Sequence, residues 1–262
     1  IALQVAILLN CQILPVTQIM RKTVIDGSNT SGFQRTVLIA INGFLETSEG
    51  KVGIDTICLE EDAARIIERN EKSATYRLDR LGIPLIEIAT SPDIKTAKPV
   101  KETALKLGEI LRSCKVKRGI GTIRQDVNVS VSKGARVEIK GFQDPSMMIE
   151  TVNQEIQRQL DLISAKKKVI SEVRNALPDG KTEFLRPMPG ASRMYPETDL
   201  PLLKISHDLI NEVKKNLPKL KTEIENELKN KGLSQEMIKL LFSERMLDDF
   251  EALLKLYNNP NF

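Results

Sequence analysis

The sequence reads as an α+β protein that ends in a small helical domain. Three observations point there. Stretches rich in Val, Ile and Thr fill much of the first 90 residues, as strands do. Residues 122–141, TIRQDVNVSVSKGARVEIKG, alternate polar and apolar with the period of two that a pleated strand demands. From Ser206 onward the pattern becomes helical, over 207–216, 218–230, 234–243 and 244–257, with Pro218 and Gly232 as breaks. The expected division is 1–203 and 204–262.

In chain order, residues 1 to about 11 predict the end of an amphipathic helix. Gln18 to Ile25 and Thr36 to Leu45 predict strands, joined by a loop of Asp, Gly, Ser and Asn. Gly27 and Gly32 could let backbone N–H groups approach an anion. A plain turn fits equally, and the spacing of a P-loop is absent. Gln34 is a further polar candidate beside this loop. Lys51 to Leu59 predicts a strand running into Glu60, Glu61 and Asp62, either a cation site or a polar loop. Residues 71–80 are polar.

The run LGIPLIEIAT, residues 81–90, reads as a strand buried on both faces, with Glu87 inside it. A carboxylate there needs a cation, a metal or a hydrogen bond. Arg77 and Arg80 are the candidate ion-pair partners; a metal is preferred. Pro84 limits the strand to an edge or to its opening residues.

Asp93 to Val116 contains a helix, with Val100, Ala104, Leu107 and Leu111 at helical spacing. The hairpin of residues 122–141 follows, turning at Ser132–Gly134. Asp144–Pro145 reads as the cap and first residue of a helix carrying Met148, Val152, Ile156 and Leu160. Residues 165–184 are polar and end in a turn. Residues 186–201 hold four prolines, so Arg193, Tyr195, Glu197 and Asp199 alternate along an extended segment.

One face of the hairpin is apolar: Ile123, Val127, Val129 and Val131, then Ala135, Val137 and Ile139. The other carries Arg124, Asp126, Asn128, Arg136, Glu138 and Lys140. A solvated face of cross-strand ion pairs would look like this. So would a metal–phosphate centre, in which carboxylates hold Mg²⁺ and basic side chains clamp phosphate.

Composition bounds the rest. The 262 residues carry a net charge of +4, which permits a nucleic-acid partner without demanding one. Cys11, Cys58 and Cys114 have no metal-site spacing and suit a reducing cytosol. His207 is the one histidine, so a multi-histidine metal site is excluded. No apolar run is long enough to span a bilayer, and the start is a poor signal peptide.

Several long motifs occur in order: MRKTVIDGSNTSGFQRT (20–36), CLEEDAAR (58–65), YRLDRLGIPLIEIATSPDI (76–94), GTIRQDVNVSV (121–131), ARVEIKGFQD (135–144) and RPMPGASRMYPETDLP (186–201). Together they resemble the GatB/GatE family of glutamyl-tRNA(Gln) amidotransferases, its archaeal GatE branch in particular. The resemblance implies a glutamine synthetase/guanido kinase-like β-sheet cradle with flanking helices. It implies a ligase that phosphorylates the γ-carboxylate of Glu-tRNA(Gln) with ATP and Mg²⁺ and amidates it with ammonia. The partners would be an asparaginase-like glutaminase subunit and tRNA(Gln) charged with glutamate, in a cytoplasmic α2β2 hetero-oligomer. On side-chain type, Glu87, Asp126 and Glu138 would hold Mg²⁺. Arg124, Arg136, Lys140, Arg80 and Arg193 would neutralise phosphates.

Three departures from the family are expected. Its opening Gly-Leu-Glu-Ile-His strand, a synthetase-like insert near 164–182 and its tail domain are not seen. An ATP-dependent ligase acting on a small carboxylic acid, and a tRNA-binding scaffold without chemistry, are the competing readings.

Overall fold

The computed structural model describes residues 1–257 except 118, 120, 121, 143, 189, 191, 192 and 245. Gly121, Gln143, Pro189, Ala191 and Ser192 of the quoted motifs therefore lie outside the described residues. Residues 1–216 and 217–262 form two compact units.

The first unit contains two principal sheets. After helix α1 (Ala2–Leu8) come the short strands β1 (Gln12–Ile13) and β2 (Val16–Thr17), then β3 (Ile19–Thr23), β4 (Phe33–Thr47) and β5 (Gly50–Glu61). β6 (Arg65–Arg69) and β7 (Ala74–Arg77) form a separate hairpin, followed by β8 (Pro84–Thr90) and helix α2 (Lys98–Ser113). The larger sheet has the order β13–β3–β4–β5–β8, where β13 is Met194–Pro196, and β1 also pairs with β4. All its pairings are antiparallel. The long β4–β5 hairpin turns at Gly50, whose φ of +118° is open to glycine and strained for other residues.

The second sheet has the order β12–β11–β10–β9, from β9 (Val127–Val129), β10 (Val137–Lys140), β11 (Glu172–Ala176) and β12 (Thr182–Pro187). β10 and β11 are parallel, so the chain must cross over between them. Helix α3 (Met147–Ser164) makes that crossing. The expected alternation of the hairpin is what buries this sheet. Val129, Val137 and Ile139 pack with Val152 of α3 and with Val169 and Ala176. Each such fully buried branched side chain is worth about 1.5–3 kcal/mol.

Several expectations are corrected. The polar stretch 71–80 contains β7, which pairs with β6 just before it, and the stretch 165–184 contains β11 and the start of its partner β12. The hairpin of 122–141 is ladder-paired only over 127–129 and 137–139, which leaves Arg124 and Arg136 outside its strands. Asp144 does not cap α3; its carboxylate accepts the Ser146 N–H at 2.7 Å, and Ser146 precedes the helix. The units divide after Asn216 rather than near residue 203. β14 (Leu203–Lys204) pairs with β2, and helix α4 (His207–Lys215) packs on α1, so both belong to the first unit. The second unit is α5 (Lys221–Asn230), α6 (Gln235–Ser243) and α7 (Leu247–Tyr257), around Leu228, Leu233 and Ile238. Among the described residues no helix is long and apolar enough to cross a membrane.

Candidate active site

Register decides which residues meet on the larger sheet. Lys22 pairs with Gln34, Thr36 with Glu60, and Cys58 with Glu87. Side chains alternate faces, so Lys22, Gln34, Thr36, Cys58, Glu60 and Glu87 share one face. The opposite face carries Val37 and Ile57, both buried.

On the shared face Lys22 Nζ donates to Glu60 Oε1 at 2.7 Å, and both side chains are largely buried. Glu87 stands opposite Cys58, one diagonal step from Glu60 on the same face. Burial pushes the Glu87 carboxyl up, and the Glu60 charge pushes it further, while Lys22 and Lys140 hold it back. Glu87 therefore holds its proton more tightly than an isolated glutamate does. Burial, with Glu87 and Glu60 nearby, raises the Cys58 thiol to about 11, which leaves it unreactive near neutral pH.

The expectation that Glu87 lies in a strand buried on both faces is wrong. β8 pairs only with β5, so it is the edge of the sheet, and Pro84 is its opening residue, both positions that suit a proline. Glu87 as a residue is exposed, with its carboxyl partly withdrawn from water. Neither suggested arginine is its partner. Arg77 pairs with Asp79 at 3.0 Å and Arg80 with Asp62 at 3.7 Å.

The second sheet contributes Asp126, Asn128, Glu138 and Lys140 as one polar group. Lys140 bonds both Asp126 and Glu138, the latter at 2.6 Å. Burial would lower its ammonium, but these two carboxylates reverse that and keep it charged. Lys140 thus occupies the space between two of the three expected metal ligands. Among the described residues no three acidic, Cys or His side chains gather closely enough to hold a metal ion. The set Glu87, Asp126 and Glu138 is therefore not assembled, and the close acidic pair is Glu60 with Glu87.

The basic candidates separate. Arg124 reaches Asp62 at 3.4 Å, beside Arg80, so two guanidiniums share one carboxylate at the end of β5. Arg136 is exposed at the far end of β10 from Lys140. Arg193 is exposed, and its carbonyl accepts the Thr23 N–H at 2.9 Å.

Other candidates are tied up structurally. Glu197 is buried between Arg21 and Arg35 on the face opposite Glu60, and both guanidiniums lie over Phe33. Arg35 also bonds Glu61 at 3.2 Å, and Arg21 bonds Asp199 at 2.8 Å. Tyr195 stands opposite Arg21 across the β13–β3 ladder. Gln34 donates to the Glu61 carbonyl. The loop of Gly27 and Gly32 is a plain turn, its N–H groups at Ser28 and Ser31 bound by Asp26 and Asn29.

Sequence reasoning missed Lys22, because nothing in a strand sequence says which strand lies beside it. It also missed a buried network behind the second sheet. There Glu155 accepts two bonds from Arg158, both at 2.8 Å, and one each from Gln159 and Thr182. Arg174 joins it to Glu172.

Fold and site together define an α+β domain whose open face gathers carboxylates and lysines. The chain belongs to the GatB/GatE family: a model of the GatB/GatE catalytic domain matches residues 1–211. It is 36% identical to the glutamyl-tRNA(Gln) amidotransferase GatE subunit of Methanocaldococcus jannaschii, covering 99% of this chain and 63% of that protein. The protein of the same name from Methanothermobacter thermautotrophicus is 34% identical, covering 97% and 62%. That of Pyrococcus abyssi is 34% identical, covering 100% and 63%. The chain thus spans under two thirds of the length of these relatives. The aligned span of 396 positions in the first exceeds the 262 residues here, so that relative has internal residues without a counterpart.

Proposed function

We propose that this chain is the ATP-using part of a glutamyl-tRNA(Gln) amidotransferase. A γ-carboxylate oxygen of tRNA-bound glutamate attacks the γ-phosphorus of ATP, and ADP leaves. Ammonia then adds to the acyl carbon, phosphate leaves and a proton is lost, giving the amide. A glutaminase subunit would supply the ammonia within a hetero-oligomer, since the relatives are themselves named as one component of a larger enzyme. The glutamine synthetase-like cradle would be the frame for this chemistry.

The observation that carries the reading is the facing pair Glu60 and Glu87 beside Lys22. Two carboxyls pressed together make an oxygen site that wants a cation, and Mg²⁺ is commonly held by one or two carboxylates plus substrate phosphates. Mg²⁺ bound there would neutralise charge on the transferring phosphoryl group. Glu60 and Glu87 would hold it, with Asp126 and Glu138 nearby once Lys140 turns to a phosphate. Lys22 donates to Glu60 and lends the pair a positive charge. Arg124 and Arg80 carry one more positive charge than Asp62 cancels, and so can receive phosphate oxygens.

The test is ATP hydrolysis by the chain together with its glutaminase partner. Glu-tRNA(Gln) stimulates it and free glutamate does not, and Glu60→Gln or Glu87→Gln abolishes the stimulation. Stimulation by free glutamate would indicate the small-acid ligase. No hydrolysis with either would indicate a scaffold.

A further inference from the structure

Two loops meet at one end of the second sheet. The β9–β10 turn brings Lys133, followed by Arg136 at the start of β10. The α3–β11 loop brings Lys166, Lys167 and Lys168. β10 and β11 run parallel, so their starting ends lie side by side, and the Ser171 hydroxyl donates to the Arg136 carbonyl at 3.0 Å. All five basic residues are exposed. None is in an ion pair among the described residues, whereas the cations of the acid–base face, Lys22, Arg124 and Lys140, are each paired. The acids nearest in sequence are occupied: Glu138 pairs with Lys140, Glu172 with Arg174, and Asp161 accepts from Gln157.

The patch is built on a firm frame. Lys133 and Lys166 hold φ of +66° and +58°, a left-handed backbone that lysine rarely adopts. The Lys166 and Lys167 N–H groups bond back to Ile163 and Leu162, and Val169 anchors the loop in the core. One or two cations would suffice to complement a helix C-terminus. Five, from two separate loops, exceed that role. They repel one another unless a polyanion covers them.

We infer that this end of the sheet, formed by Lys133, Arg136 and Lys166–Lys168, docks the phosphate backbone of a structured RNA. The inference rests on the proposed function, in which the substrate is a tRNA. Arg136 lies four residues from Lys140, roughly 13 Å along an extended strand. An RNA seated on the patch therefore lies within reach of the acid–base face without blocking it. Contacts of this kind position without reading sequence.

The test is the salt dependence of binding of uncharged tRNA and of an unrelated structured RNA to the full chain. Each phosphate neutralised adds nearly one to the slope of log K against log salt. The triple variant Lys166→Gln, Lys167→Gln, Lys168→Gln should lower that slope by about 2–3 for both RNAs, while the triple Lys→Arg variant keeps it. An unchanged slope, no RNA binding by the parent chain, or binding to anionic phosphatidylserine vesicles in place of RNA would overturn the inference. A lowered slope in a protein whose ATP hydrolysis ignores Glu-tRNA(Gln) would sink the proposed function and leave the RNA surface standing. Stimulated hydrolysis with an unchanged slope would do the reverse.

Discussion

Glu87, on the edge strand β8, stands diagonally across the β5–β8 ladder from Glu60, and burial together with the Glu60 charge raises its carboxyl pKa. The sign of the linkage follows from the direction of the Glu87 shift. Its folded pKa lies above its unfolded one, so between them the folded state binds more protons, and stability falls as pH rises through that window. Glu87→Gln should remove this slope and stabilise the metal-free protein slightly above it, by less than about 1 kcal/mol because the site is open to solvent. Urea midpoints from pH 5 to 8 check it. Mg²⁺ should flatten the slope of the parent chain and leave the variant unaffected.

The apolar half of this architecture was legible in the sequence. Val127, Val129, Val137 and Ile139 alternate as a half-buried sheet must, and Pro84 limited its strand to an edge or to its opening residues; it opens β8, which is an edge. The partners of the charged residues were not legible. That Lys22 meets Glu60, or that Lys140 separates Asp126 from Glu138, depends on strand neighbours and register, which local pattern does not encode. The polar stretches 71–80 and 165–184 concealed β7 and β11 because these strands are short, and the β6–β7 hairpin is largely exposed, so no apolar alternation marks it.

Arg124 and Arg136 look equivalent in the sequence but not in the fold. Arg124 shares Asp62 with Arg80 at the end of β5, whereas Arg136 lies at the end of β10 away from Lys140. Arg124→Ala should lower tRNA-stimulated ATP hydrolysis by roughly 10²–10³-fold, the scale of one lost charge-stabilising donor. Arg136→Ala should raise the KM for tRNA and leave that for ATP alone. Steady-state kinetics with each substrate varied separates them, and equal effects on the ATP KM would contradict the assignment.

Glu197 sets part of the acid limit. Its bonds from Arg21 pull the carboxyl down to about 2 against the opposing effect of burial, with help from the Asp199 N–H and Arg35. A group depressed in the folded state stabilises above its unfolded value near 4.5, and that contribution is lost as pH falls toward 2. Glu197→Gln should therefore lower the urea midpoint at pH 7 and make the loss of stability between pH 4.5 and 2 shallower. The clamp holds β13 against β3, so Thr23 and Glu197 amides should also exchange faster with solvent in the variant. An acid limb identical to the parent's would place the acid sensitivity elsewhere.

Glu155 is the strongest structural prediction outside the site. Its side chain is fully buried, and burial alone would raise its pKa. Bonds from Arg158, Gln159 and Thr182 overcome that and keep it ionised at neutral pH. Removing one member of a buried ionic network leaves the others unpaired, at a cost of about 3–5 kcal/mol. Glu155→Ala leaves Glu172 as the one carboxylate between Arg158 and Arg174, an uncompensated positive charge between α3 and β11, so its urea midpoint should fall by that equivalent. The parallel β10–β11 pairing depends on α3 staying seated, so the loss should appear as one cooperative transition of the first unit. A destabilisation under about 1 kcal/mol, the range of exposed pairs, would show that water reaches the network.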